Sequence, residues 1–279
     1  GEIMVKGLLK KIKLGKKKNN SKKKHHKIKH IIKNIRAKIS SKLPKIKNLK
    51  EKKILSQIKL SKGILPKQFE VITPDGVDIK LNFYDTPNTD KGIILLPVLG
   101  KTKESMDSLA QFVCKLGYKA VAVDYRGHGG SALNWQSFRS KDFANMVYDA
   151  KAAKEFLAAH KTKAIGIIGA SIGANVALNY LAMDPQIKTA ILLSPGIDYR
   201  GVKIDYSIPD IKVPIFIFAS KGDQYSFVST QHIQKLCGSP NICVDFLDGE
   251  MHGMELLSDR KTRNYILNKM EAWLKQYVK

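Results

Sequence analysis

From residue 69 onward the spacing of apolar and polar positions changes period, and each change marks an element. Residues 69–73 alternate with period two, Pro74-Asp75-Gly76 reads as a turn, and residues 77–84 alternate again. That pattern predicts an antiparallel hairpin. Predominantly apolar runs then recur at 93–96, 120–123, 164–168, 189–193, 213–218 and 242–247, as expected of strands buried on both faces. Between and after them, apolar residues at helical spacing predict helices over 105–116, 142–160, from about 172, over 227–236 and over 263–277. Gly117 stops the first of these. Strands alternating with helices call for an α/β class: a mostly parallel sheet covered by helices on both faces. In such sheets a ligand binds beyond the carboxyl ends of the strands.

Charge divides the 279-residue chain in two. Residues 1–62 hold 22 Lys and Arg36 against Glu2 and Glu51, a net of +21, which leaves +4 of the total +25 for residues 63–279. The basic balance therefore belongs to a lysine-rich extension, 1–62, and not to the domain at 63–279. The block at 16–29 is expected to be disordered by self-repulsion. Ile28, Ile31, Ile32, Ile35 and Ile39 recur at helical spacing among lysines, the outline of a short basic amphipathic helix. Such a segment suits an anionic partner, either a membrane surface or nucleic acid, or a receptor that reads basic presequences; a solvated extension is the plainer expectation. It has neither an apolar run of signal-peptide length nor one long enough to span a bilayer. The expected location is the cytoplasm, with organelle import or membrane-surface association through the tail as alternatives. Cys114, Cys237 and Cys243 show no metal-ligand spacing and are expected to be reduced and structural.

Candidate chemistry centres on Gly169-Ala170-Ser171-Ile172-Gly173, which stands between an apolar run and a run of helix formers. This is the G-x-S-x-G pattern in a strand–turn–helix context. A serine on so sharp a turn projects its hydroxyl, and the tight approach of neighbouring backbone requires small residues two before and two after it. The helix that follows aims its N-terminal N–H groups at the place where an oxyanion would form.

A serine nucleophile needs a base, and the base needs an orienting acid; on a parallel sheet with such an elbow they follow in the order serine, acid, histidine. Only His232 and His252 follow Ser171. His232 falls on the polar face of a predicted helix, whereas His252 lies in a loop after the last strand, so His252 is the expected base. Asp223 follows strand 213–218 directly and is the expected acid, with Asp198 as its rival. Of the two oxyanion donors, one is Ile172 N–H. The other comes from the loop after strand 93–96, where Leu99 is preferred over Val98 and Gly100.

On these residues the chain resembles the α/β-hydrolase superfamily, and within it the lidless bacterial esterases of the dienelactone-hydrolase and serine-aminopeptidase-like groups. The resemblance rests on GASIGA at 169–174, DYRGHGGS at 124–131, LLSPGIDYRG at 192–201, ASKGD at 219–223 and MHG at 251–253, and it covers roughly the last three quarters of the chain. It implies a serine hydrolase working through an acyl-enzyme, with no cofactor and no metal. The family commonly has His-Gly in the oxyanion loop where this chain has Pro97-Val98. Many relatives insert a helical cap after the strand at 189–193; here about twenty residues reach the next strand, close to the minimum for a parallel crossover. An open cleft of that kind suits a small-molecule ester substrate with a small or exposed acyl group. Tyr199 in that connection and Trp135, with Phe138, in the loop after Ser131 are candidates to line it. Thioesterase, acyltransferase and small-peptide hydrolase activities fit the same triad, and a binding protein carrying a basic tail is the non-enzymatic alternative.

Overall fold

A computed structural model of the chain describes residues 63–279. The readings made for residues 1–62 lie outside the described residues.

Strands β1 (Lys67–Ile72) and β2 (Asp78–Tyr84) form the expected antiparallel hairpin. β3 (Lys91–Leu96), β4 (Lys119–Asp124), β5 (Ala164–Ala170) and β6 (Thr189–Leu193) follow. A two-stranded hairpin of β7 (Asp198–Tyr199) and β8 (Val202–Lys203) precedes β9 (Ile215–Ser220) and β10 (Ile242–Leu247). Among the described residues, eight of the ten strands form one sheet in the order β1-β2-β4-β3-β5-β6-β9-β10. All neighbours from β4 to β10 are parallel, and β2 pairs antiparallel with β4.

The central strands are buried along their whole length, as the unbroken apolar runs require. Helices α1 (Asp107–Lys115), α2 (Ser140–Ala144), α3 (Met146–Ala159), α4 (Ile172–Met183), α5 (Gln224–Leu236) and α6 (Arg260–Tyr277) cover both faces. Phe143, Met146, Val176, Leu181 and Ile233 pack one apolar layer against Ile167 and Ile217. Leu109, Val113, Ile266 and Leu274 pack the other against Ile168 and Phe218.

Four expectations are corrected. The helix expected over 142–160 is two helices, because Asn145 closes α2 with its N–H on Lys141 O and Phe143 O before α3 begins. The strand expected over 213–218 runs from Ile215 to Ser220, since Pro214 has no N–H to give a ladder. α5 begins at Gln224 rather than 227, because Asp223 caps it: its carboxylate accepts from Ser226 N–H at 3.4 Å. The connection after β6, for which the sequence pattern predicts no element, contains the β7–β8 hairpin. Its turn residues Arg200 and Gly201 both have positive φ, 57° and 95°, as the tightest hairpin turn demands.

The loop after β4 is fastened from two sides. Arg126 grips Asp75 with both terminal nitrogens, at 2.6 and 2.8 Å, and donates from Nε to Asp149 at 2.9 Å. The first of these contacts holds the Asp75 carboxyl below its ordinary value. A carboxylate depressed in the fold stabilises it above the unfolded pKa of about 4, and that contribution is lost as pH falls through the folded value. Thermal melts of the wild type are therefore expected to drop below about pH 4, and Asp75→Asn to flatten that drop while lowering stability at neutral pH.

Candidate active site

The site is assembled on the carboxyl rim of the sheet. Because β3, β5, β6, β9 and β10 run parallel and adjacent, the residues just past their ends stand side by side: Leu99, Ser171, Ser194, Asp223 and His252.

Ser171 follows β5 and has φ 55° and ψ −122°, a backbone state few side-chain-bearing residues adopt. The surrounding glycines explain how the turn closes. A Cβ on Gly169 would come within 2.3 Å of Gly173 O, and one on Gly173 within 2.4 Å of Leu96 O. Any larger residue at either position would push the helix off the strand. The N–H of Ser171 is held by Leu193 O at 2.8 Å, so the turn is tied to the next strand as well.

His252 stands in the loop after β10, just ahead of a buried turn of 3-10 helix, Gly253–Leu257, whose Leu256 and Leu257 anchor it in the core. Its Nε2 lies 2.8 Å from Ser171 Oγ and its Nδ1 2.6 Å from Asp223 Oδ2. Nδ1 beside a carboxylate is the protonated nitrogen, which leaves Nε2 as the acceptor facing the serine. The other oxygen of Asp223 accepts from Ser226 N–H at the start of α5, so one carboxylate serves both as helix cap and as the partner of the imidazole. Ser171 is almost fully buried, while His252 is about one-third exposed, so the line of three opens to solvent at the imidazole.

The two rivals are engaged elsewhere. Asp198 turns its carboxylate to Gly201 N–H at 2.6 Å and caps the β7–β8 turn. His232 bonds Asp205 at 2.8 Å on the surface.

Ile172 N–H opens α4, where the first N–H groups have no partner within the helix. Leu99 lies in a tight turn closed by Lys101 N–H on Val98 O at 3.1 Å, with Gly100 at φ 73°. The close approach of Gly173 to Leu96 O and Pro97 O shows that this loop abuts the first turn of α4. The loop with Pro97-Val98 therefore keeps its place beside the first turn of α4.

Tyr199, carried on the hairpin, meets the His252 ring edge to face at a centroid distance of 6.0 Å. Its hydroxyl is 3.2 Å from both Ser194 O and Ser226 Oγ. Trp135 stacks on His128 at 5.4 Å and borders Gly100, whose added Cβ would touch the indole at 3.5 Å. Burial pushes the His128 imidazole down, so the stack is a neutral ring on an indole. Phe138 turns toward Phe143 and the core. Among the described residues no group of three or more His, Cys, Asp or Glu is gathered to hold a metal ion, and no helix is long and apolar enough to cross a membrane.

Sequence reasoning missed three side chains of this neighbourhood. Ser226 carried one signal, its place three residues after Asp223, the spacing of a capped first turn. Asn175 is a fully buried polar residue in a largely apolar helix; it accepts from Gly196 N–H and donates to Val202 O, pinning the hairpin. Tyr225 pins it again, exchanging hydrogen bonds of 2.8 Å with the backbone of Asp198.

Comparison with known proteins agrees with this fold. Residues 87–209 match the family model described as serine aminopeptidase, S33. No curated protein matches the chain at a significant level. Among solved structures, an esterase of Pyrococcus furiosus is similar with a TM-score of 0.69 at 21% identity, covering 85% of this chain and 97% of that one. A dienelactone hydrolase of Anabaena variabilis gives 0.63 at 17% identity over 77% of this chain and 100% of its own. A cold-adapted esterase from an Arctic intertidal metagenomic library gives 0.62 at 20% identity, covering 77% and 94%.

Proposed function

The chain is an α/β hydrolase in fold, and from that premise we propose that it is a serine hydrolase cleaving carboxylic esters with small or exposed acyl groups. The observation that carries the reading is the unbroken line from Ser171 Oγ through both nitrogens of His252 to Asp223, at 2.8 and 2.6 Å.

In this mechanism His252 Nε2 takes the Ser171 proton as Oγ attacks the ester carbonyl carbon. The carbonyl oxygen becomes an oxyanion and accepts from the N–H groups of Ile172 and Leu99. The tetrahedral intermediate collapses, the C–O bond to the alcohol breaks, and His252 hands its proton to the leaving oxygen. Water then attacks the acyl-enzyme, losing a proton to His252, and the acid leaves as Ser171 regains its hydrogen. Asp223 holds the imidazole in the one tautomer that can do this and offsets the imidazolium charge. Trp135 and Tyr199 are the walls proposed for the cleft. The short β6–β9 connection supports an open cleft, since the hairpin stands where a cap would otherwise be inserted.

A panel of p-nitrophenyl esters of increasing chain length, with acyl thioesters and aminoacyl p-nitroanilides beside them, tests the reading. Turnover is expected to be highest for the short esters. A preference for the anilides would shift the reading to the small-peptide hydrolase that the serine-aminopeptidase match also supports.

The charge partition supports an anionic partner for the lysine-rich extension. The full chain is expected to bind vesicles containing phosphatidylserine and to weaken as salt rises, because exposed charges are screened over about 8 Å at physiological ionic strength. If apolar insertion of the isoleucine-bearing segment contributes, residual vesicle binding survives high salt, whereas a nucleic-acid duplex is released. Binding to neither at low salt would leave the extension without an anionic partner.

A further inference from the structure

Three hydroxyl-bearing residues outside the triad converge on His252. Ser226 is completely buried in the first turn of α5; its Oγ lies 3.4 Å from His252 Nδ1 and 3.2 Å from the Tyr199 hydroxyl. That hydroxyl lies 3.2 Å from Ser194 O. The side chain of the same Ser194 accepts from Gly253 N–H at 2.9 Å, fixing the residue after His252.

Counting hydrogens orders this chain. Ser194 O can only accept, so Tyr199 gives it its one hydroxyl hydrogen. The Tyr199 oxygen is then left to accept, and Ser226 supplies the hydrogen. A lone pair of Ser226 Oγ consequently faces His252 Nδ1, whose single N–H points at Asp223 with Ser226 on its flank. Burial pushes the Tyr199 phenol up to about 12, so it keeps its hydrogen, and the direction of the chain, through the neutral range.

We propose that Ser226 is a positioning residue for His252, its hydroxyl acting as a second acceptor beside the Asp223 carboxylate and held in that orientation by Tyr199 and Ser194. At 3.4 Å the contact is weak with a neutral ring. It strengthens when His252 becomes an imidazolium, the moment at which a tilt of the ring would cost most. The charged groups facing His252 are Asp223 at Nδ1 and Glu255, which accepts from its backbone N–H at 3.3 Å; Ser226 and Tyr199 add acceptors without adding charge. Ser226 would thus steady the ring without competing with Asp223 for the proton. The proposal rests on the serine-hydrolase reading.

The test compares the full-length wild type with Ser226→Ala, Tyr199→Phe and the double variant in p-nitrophenyl acetate turnover, with melting temperatures as a control for folding. Ser226→Ala retains its backbone N–H to Asp223, so the cap survives. It is expected to lower kcat about tenfold with KM changed less than about twofold, the signature of an interaction that matters after binding. Because both substitutions break one chain, the double variant is expected to be no slower than the slower single variant. A kcat for Ser226→Ala within about twofold of wild type, a change confined to KM, or effects that multiply in the double variant would overturn the proposal. Absence of turnover by the wild type on every ester of the panel would instead overturn the esterase reading on which it rests.

Discussion

Ser171→Ala is expected to lower ester hydrolysis by about 10,000-fold or more while leaving the melting temperature within a few degrees of wild type. The size follows from the chemistry. Without Oγ no acyl-enzyme forms, and what remains is water attacking a substrate held near the Ile172 and Leu99 N–H groups. The fold should survive because the strained turn is held by its backbone, through Ser171 N–H on Leu193 O and the interlocked Gly169 and Gly173, none of which needs the hydroxyl. Steady-state kinetics with the preferred p-nitrophenyl ester, and a thermal melt of the same preparation, check both halves. A variant retaining a tenth of the wild-type rate would remove Ser171 from the mechanism.

Asp223→Asn is expected to cost about 1,000- to 10,000-fold in kcat, far more than Asp198→Asn. An amide at 223 can present its NH₂ to Nδ1, which favours the tautomer with the proton on Nε2 and deprives Ser171 of its acceptor. Asp198→Asn keeps an oxygen for Gly201 N–H, so the hairpin turn should hold and the rate should fall by less than about tenfold. Parallel assays of the two variants decide the matter; the reverse order would move the orienting acid to Asp198.

The sheet was legible because its interior strands are buried on both faces and so read as plain apolar runs. Thr189–Leu193 coincides with β6, while Ile242–Leu247, expected to be buried on both faces, coincides with β10, which is a half-buried strand at the sheet's edge. Strand ends at the rim were harder, and for a reason tied to the site. Ala170 and Ser220 extend β5 and β9 beyond the apolar stretches, with Ser220 a polar residue buried among them. Ser171, His252 and Asp223 could be picked out because each stands in a loop after an apolar strand, in the chain order an elbow serine requires. The β7–β8 hairpin could not be, since two-residue strands have no period to read and Arg200 is an unusual residue for a left-handed turn position. Tyr225 and Ser226 escaped for a related reason. Their part depends on contacts between the hairpin and α5, which are distant in sequence and brought together only by the crossover.

Labelling of the full chain with a fluorophosphonate, followed by peptide mapping, tests the central claim most directly, because the probe reports an activated serine whatever the natural substrate is. The account predicts stoichiometric phosphonylation at Ser171, lost in Ser171→Ala and strongly slowed in His252→Ala. Labelling at another residue, or none in the folded wild type, would contradict it.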